Sequence, residues 1–364
     1  YLEGGVLLAN FDERFTGDFN EMYRSPNGTY WITTGRTTLG RIVLLSGSGT
    51  TVNTEVIGDP FTPAPWNELE GLNVAAGFGE MYAINDSGDI AFAATEAFSG
   101  KRVMVKRVAG VFTVLAREGE VCPLVSGGTE NWGGFFEPFN ISSSGQVSYR
   151  ASNTVGALPD TQDDFVVIGS QVFQVGVTPI LGRTFDNFGQ TTYIAADQDG
   201  VNWIAVTNLS GAATDDDVTL VNGAVVIREG TPFGGLTPNQ RLAGASISGA
   251  VTLDGKPLLS GAWWTSRGQG NVGTLDFIAR NAAIVAKKGD PIFTGSPTLW
   301  TAGAGYNRTF LSSAIDNAGN YSIIGGFGNG TTLSSAGFVY NGTTTVIQHG
   351  NGVDVDGDNL ADNI

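Results

Sequence analysis

The sequence predicts an all-β protein, and three observations carry that reading. Glycine fills 53 of 364 positions without a three-residue period, which excludes a collagen-like chain and calls for many tight turns. Hydrophobic residues make up 41% and charged residues only 15%, enough apolar surface for a core and below the usual charge of about a quarter. A turn followed by period-two alternation recurs six times, the signature of a strand with one buried face.

The six copies begin with Ser25-Pro-Asn-Gly-Thr-Tyr-Trp-Ile and Ile84-Asn-Asp-Ser-Gly-Asp-Ile-Ala-Phe. Next come Ile141-Ser-Ser-Ser-Gly-Gln-Val-Ser-Tyr and Ala196-Asp-Gln-Asp-Gly-Val-Asn-Trp-Ile. Thr252-Leu-Asp-Gly-Lys-Pro-Leu-Leu and Ile315-Asp-Asn-Ala-Gly-Asn-Tyr-Ser-Ile complete the set. Their glycines, Gly28, Gly88, Gly145, Gly200, Gly255 and Gly319, lie 60, 57, 55, 55 and 64 residues apart. Asn or Asp ahead of Gly tolerates a positive φ, so each copy reads as a hairpin feeding a strand.

A second motif follows each anchor, an apolar strand that ends in a turn. Examples are Val56-Ile-Gly-Asp-Pro, Val114-Leu-Ala-Arg-Glu-Gly-Glu, Val226-Ile-Arg-Glu-Gly-Thr-Pro, Val285-Ala-Lys-Lys-Gly-Asp-Pro and Val346-Ile-Gln-His-Gly, with Val177-Thr-Pro-Ile-Leu-Gly a degenerate copy. Gly permits the reversal there, and Pro cannot donate to a ladder. A short apolar run lies between the two motifs, as in Phe165-Val-Val-Ile, and another precedes each anchor, as in Phe135-Phe-Glu-Pro-Phe. Four strands per unit of some 55–60 residues, repeated six times, is the arithmetic of a six-bladed β-propeller; seven blades with a composite closing blade is the alternative. Residues 19–350 form the repeat region, 1–18 hold an orphan strand (5–11) suited to ring closure or to donation to a second copy, and 351–364 form an acidic tail.

Copies of the type Ile-Asn-x-x-Gly-x-Ile-x-Phe followed by Ala-Arg-Glu-Gly-Glu resemble the propeller repeats of large secreted or surface bacterial proteins of uncharacterised function. That resemblance implies the architecture and carries no catalytic motif. The fifth copy departs from it at Asp254-Gly-Lys-Pro.

Composition narrows the function classes. Lys plus Arg total 19 against 35 Asp plus Glu, a net charge of −16. Such a surface repels phosphate backbones and anionic membranes, so nucleic acid is excluded as a partner of the bulk surface. Cys122 is the only cysteine and His349 the only histidine, so an intrachain disulfide and a Cys zinc site are excluded, and His349 reads as a strand-end residue. No apolar run reaches the length of a membrane span. The chain opens at Tyr1 with no signal-peptide pattern, and scarce Cys and Lys with strong acidity fit a secreted or cell-surface protein.

The tail Val353-Asp-Val-Asp-Gly-Asp-Asn-Leu-Ala-Asp-Asn-Ile364 holds the one metal motif. Asp354, Asp356, Asp358 and Asp362 occupy positions 1, 3, 5 and 9 of a calcium loop, with the Leu360 carbonyl at position 7; hard oxygens at alternate positions converge on one ion. The run resembles the calcium loops of thrombospondin type 3 repeats and integrin-type propellers, which implies Ca2+ as a cofactor. It stops one residue short of the closing bidentate Glu, and a frayed acidic tail is the alternative.

Catalytic signatures are missing from the sequence. It has no Gly-x-Ser-x-Gly elbow, phosphate loop or His-Glu-x-x-His helix, and Ala195-Ala-Asp-Gln-Asp-Gly-Val-Asn-Trp has its aspartates out of phase with a sialidase aspartate box. Asp215-Asp-Asp217 and Asp163-Asp164 read as caps of solvated loops, with cation binding the lesser option for the first. Trp263-Trp264 and Trp132-Gly-Gly-Phe-Phe read as core before sugar platform. Eight Asn-x-Ser/Thr sequons, among them Asn27, Asn85 and Asn140, are explained by turn chemistry ahead of glycosylation. The expected function is a non-enzymatic binding or structural module at the cell surface. Its partner would be a protein or glycan met through inserts at 61–77 and 122–134, with self-association through the termini as an extension. A carbohydrate-active hydrolase or lyase is the rival reading.

Overall fold

A computed structural model describes residues 15–39, 42–57, 69–71, 82–96, 99–124, 130–154, 162–187, 193–197, 199–212, 215–231, 242–243, 258–260, 263–270, 275–281, 283–301, 309–316, 318–328, 333–348, 352–353 and 362–363. Among them there is no α-helix, and no helix is long and apolar enough to cross a membrane. The chain is all-β and its strands pair antiparallel in sequential meanders.

The first sheet takes β1 (Phe15–Arg24), β2 (Tyr30–Thr37), β3 (Ile42–Ser48) and β4 (Thr51–Ile57) in chain order. In the second, β5 (Leu69–Gly71) and β6 (Tyr82–Ile84) both pair with β7 (Ile90–Glu96), which leads to β8 (Arg102–Val108) and β9 (Val111–Arg117). The third is β10 (Asn131–Ile141), β11 (Val147–Thr154), β12 (Asp164–Ile168) and β13 (Gln171–Gln174). After the short β14 (Pro179–Ile180), β15 (Arg183–Asn187) and β16 (Tyr193–Ala196), the fourth repeat runs β17 (Trp203–Leu209), β18 (Asp217–Val221) and β19 (Ala224–Arg228). In the fifth, β20 (Leu242–Ala243) and β21 (Leu258–Ser260) pair with β22 (Trp263–Gly270), followed by β23 (Leu275–Arg280) and β24 (Ala283–Lys287). The sixth repeats that plan with β25 (Leu299–Trp300), β26 (Phe310–Ile315), β27 (Tyr321–Gly328), β28 (Leu333–Tyr340) and β29 (Thr344–Gln348). A two-residue ladder joins β30 (Gly352–Val353) to β31 (Asp362–Asn363).

The anchor turns share one chemistry. Gly28, Gly88, Gly145, Gly200 and Gly319 take φ values of +67° to +81°. Each donates its amide to the carbonyl three residues back, on Ser25, Asn85, Ser142, Asp197 and Asp316. The side chain of that first residue then accepts an amide further along the turn: Ser25 Oγ from Tyr30, Asn85 Oδ1 from Asp89, Ser142 Oγ from Gln146, Asp197 Oδ1 from Val201 and Asp316 Oδ1 from Asn320. This is why Ser, Asn and Asp alternate at a single position: each offers an oxygen at the same short reach.

The fifth repeat departs from the expectation. The hairpin that feeds its long strand pairs Ser260 with Trp263, and the expected anchor Gly255 lies outside the described residues. Proline at 257 explains the misreading, since Asp-Gly-Lys-Pro carries turn residues without being the turn that feeds the long strand. The third repeat's closing strand is Gln171–Gln174, ahead of the Val177–Gly182 run; Gln and Phe there hid its alternation. Asn131–Gly134, read as part of an insert, belongs to β10.

The outer hairpins are built on positive-φ pairs. Asn222 and Gly223 have φ of 50° and 81°, Asn341 and Gly342 of 49° and 60°, and Asn281 of 44°, the geometry that suits the twist of flanking strands. These asparagines also accept, through Oδ1, the amides of Trp203, Tyr321 and Trp264, each at 2.8 Å. In the second repeat Ala109 stands at the same turn position with φ 49°, where its Cβ is strained. Ala109→Asn is expected to stabilise the chain by about 0.5–1 kcal/mol, read by urea unfolding; an unchanged or lower midpoint contradicts this.

The chain divides into two compact units, one of Tyr1–Pro179, Thr184–Gly189 and Ala196–Val201, the other of Ile180–Arg183, Gln190–Ala195 and Asn202–Ile364. The first is filled by Ile32, Leu44, Phe92, Met104, Phe136 and Phe165, all at most 1% exposed. Trp132 packs against Phe136 and Phe165 with ring centroids 5.7 Å apart. In the second unit Trp300, Phe310 and Phe327 form a buried aromatic cluster, and Trp264 joins Phe277 and Ile204 in another. The core reading therefore holds for Trp132, Phe136 and Trp264 and not for Phe135 and Trp263, which are partly exposed. Side-by-side repeats are tied through their turns: Asn27 N donates to Asp86 Oδ1, Asn85 Nδ2 to the Ser142 carbonyl, and Ser143 Oγ to Asp199 Oδ1. Asn85 is fully buried and its Oδ1 closes its own turn, so turn chemistry accounts for that sequon, whereas Asn140 lies on β10 and its Nδ2 donates to the Ala196 and Asp197 carbonyls.

Candidate functional site

Two groups of charged side chains stand out among the described residues. The first surrounds the Asp215–Asp217 run where the chain enters β18. Arg183 Nη2 donates to both Asp215 carboxylate oxygens, at 2.7 and 2.9 Å. Arg228 at the end of β19 adds an Nη2 bond of 2.7 Å. Both arginines also reach the Asp215 backbone carbonyl. The Arg183 guanidinium lies against Gly211, where an added Cβ would stand 3.0 Å from its Cζ. The Arg183 hydrogen bond, followed by the charges of both arginines, holds the Asp215 carboxyl below the usual range. Its stabilising contribution is present above that range and is lost as pH falls through the lowered value.

Next to it, carboxylate oxygens of Asp216, Asp217 and Glu229 lie within 4.8 Å of one another. The Glu229 amide donates to the Asp217 carbonyl at 2.9 Å, which fixes the two backbones side by side. Such oxygens are the donor type that hard cations take. The run was legible in the sequence, but Glu229 was not, because its approach depends on the β18–β19 register that sets Val218 opposite Arg228.

The second group lies on one face of the third sheet. Arg150 on β11 pairs with Glu137 on β10 through Nη2 and, at 2.9 Å, through Nε, and its Cζ stands 5.3 Å from the Phe135 ring centroid. Burial pushes the Glu137 carboxyl up against the opposing pull of Arg150. Asp164 on β12 is raised too, first by burial and then by the Asp163 charge. Titratable groups shifted in this direction are what acid–base chemistry uses and also what buried structural pairs show. A raised native pKa means stability is fully present below the usual carboxylate range and is lost as pH rises through the native value. Asp164→Asn is accordingly expected to raise the melting midpoint at neutral pH and to leave it unchanged near ~pH 3. Equal midpoints at both pH values would contradict it.

The sequence-derived metal residues Asp354, Asp356, Asp358 and Leu360 lie outside the described residues, as do His349 and the orphan strand 5–11. Asp362 is described in its backbone, which pairs with Val353. Cys122 is fully buried, and beside it the Tyr149 hydroxyl is driven well above its ordinary pKa by burial.

No family model matches the chain, and no curated protein matches it. Solved structures similar to it include TolB from Acinetobacter baumannii, 11% identical over 73% of this chain and 52% of that one, with a TM-score of 0.35. AofleA from Arthrobotrys oligospora is 11% identical over 89% of this chain and 85% of that one, with a TM-score of 0.34. Prolyl oligopeptidase B from Galerina marginata is 10% identical over 90% of this chain and 40% of that one, with a TM-score of 0.42. The chain thus spans about half the length of TolB, and likenesses of this strength decide nothing about activity.

Proposed function

We propose that the chain is a secreted or cell-surface β-propeller of six four-stranded blades that acts as a binding or structural module and not as a catalyst. The observation that carries this is the use made of its charged groups. Glu55 is held by Arg107, Glu96 by Arg117, Glu137 by Arg150, Asp215 by Arg183 and Arg228, and Asp276 by Arg267. A general acid or nucleophile has to meet its substrate, whereas these carboxylates brace strands. The partner is a glycan or protein met at the loops, and the terminal segments are a route to self-association, which light scattering on the eluted protein tests: a strict monomer excludes it.

The acidic tail is proposed to hold Ca2+ through Asp354, Asp356, Asp358, the Leu360 carbonyl and Asp362. The alternating hard donors support this, as does the β30–β31 ladder, which sets Val353 opposite Asp362 and brings the ends of the run together. Calcium titrated into the full chain should release heat and raise the melting midpoint, less so after Asp356→Asn. Neither heat nor thermal shift overturns the assignment.

A hydrolase or lyase remains the second reading because Glu137 and Asp164 both hold protons more tightly than free carboxyls. A glycan array run beside a polysaccharide-cleavage screen separates the two: binding without cleavage supports the module, and cleavage abolished by Glu137→Gln supports the enzyme.

A further inference from the structure

Most arginines of the sheets hold a carboxylate, and Arg280 does not. At the end of β23 its guanidinium carbon lies 4.3 Å from the Trp263 ring centroid and 5.5 Å from that of Tyr321. Among the described residues it makes no ion pair, and its Nε has no hydrogen-bond partner. The carboxylate on the neighbouring anchor turn is committed elsewhere: Asp316 Oδ1 accepts the Ala318 and Asn320 amides, and Oδ2 accepts Asn320 Nδ2. All three members of the stack are partly exposed. Gly319, with φ +81°, packs directly on the stack and helps to fix it, since a Cβ there would stand 2.6 Å from Trp263 Cε2 and 2.7 Å from Arg280 Nη2.

From this geometry we propose that Trp263, Arg280 and Tyr321 form a binding site for a carboxylate-bearing sugar, a hexuronate unit of a glycan. A guanidinium fixed between two rings keeps its N–H fork in one plane, the arrangement that meets a carboxylate through two parallel hydrogen bonds. The stacking also limits the side-chain freedom lost on binding. Aromatic faces beside that fork supply the apolar contact a sugar ring offers through its C–H groups. Asn281 and Asn341 accept the Trp264 and Tyr321 amides, and Asn341 Nδ2 donates to Asn320 Oδ1, bonds that hold the turns on either side of the stack in place. A net charge of −16 disfavours loose anion adsorption, so recognition has to come from this local fit. The site gives the binding-module reading its ligand class and rests on that reading.

The test is calorimetric titration of a trigalacturonate, its methyl ester and a neutral trisaccharide, with EDTA present so that calcium carries no anion to the protein. The acid should bind, the ester about tenfold or more weakly, and the neutral sugar more weakly still. Arg280→Gln should abolish binding of the acid, and Arg280→Lys, which keeps the charge but loses the fork, should weaken it about tenfold. Thermal unfolding checks that each variant is folded, and the ester comparison on the unmutated protein decides the matter if one is not. Absence of binding by the acid, equal binding by the ester, or full binding by folded Arg280→Gln overturns the proposal. Tight binding of a neutral glycan that ignores Arg280 would sink this site and leave the module reading standing.

Discussion

Gly268→Ala is expected to destabilise the chain by about 1–3 kcal/mol, the usual cost of overfilling a packed core. Gly268 lies directly opposite Phe277 across β22 and β23, and a Cβ at 268 would overlap the Phe277 ring. That ring is fully buried, so it has no solvent to swing into. The φ of Gly268 is not in the left-handed range, and the cost is therefore steric. The same relation recurs at Gly47 beneath Trp31 and at Gly325, where a Cβ would stand 2.9 Å from Trp300 Cζ3 and 2.7 Å from the Thr309 carbonyl. Urea unfolding of Gly268→Ala, of Phe277→Leu and of the double variant checks this. The double variant should be less destabilised than the two single effects added together, because the smaller side chain returns the space. Additive losses would mean the ring is not what the methyl meets.

The second large effect is expected at Asn85. Its side chain is fully buried and makes four hydrogen bonds. Oδ1 accepts the Ser87 and Asp89 amides at 2.9 Å, while Nδ2 donates to Asp89 Oδ2 at 3.1 Å and to the Ser142 carbonyl at 2.8 Å. Asn85→Ala removes the partner of several buried groups at once and should lose about 2–4 kcal/mol. Asn85→Ser copies Ser142 and should keep the turn bond while losing the link to the next repeat, giving an intermediate loss. Hydrogen exchange separates the roles. The Asp89 amide should stay protected in Asn85→Ser and lose protection in Asn85→Ala; equal exchange in both contradicts the division of labour.

What the sequence made legible follows from how local each cause is. Ser25, Asn85, Ser142, Asp197 and Asp316 could be read as turn residues because the bonds they make close within five positions. The strands after them showed their alternation for the same reason. The fifth anchor was misplaced because Asp254-Gly-Lys-Pro has turn composition wherever it falls, and only the pairing of Ser260 with Trp263 locates the hairpin. The candidate sites were less legible. Glu229 near Asp217, and Arg280 between Trp263 and Tyr321, depend on strand register and on neighbouring repeats, which no spacing along the chain encodes. Nothing in the spacing along the chain marks Gly47, Gly268 and Gly325 either, yet a Cβ at each would meet an aromatic ring.

The most direct measurement of the binding-module reading is to recover a bound glycan from the protein after prolonged incubation and weigh it by mass spectrometry. Saturable binding with the ligand returned intact, for the unmutated chain and for Glu137→Gln alike, is the expected result. Shortened or unsaturated products from the unmutated chain that vanish with Glu137→Gln would contradict it and make the Glu137–Arg150–Asp164 face a catalytic site.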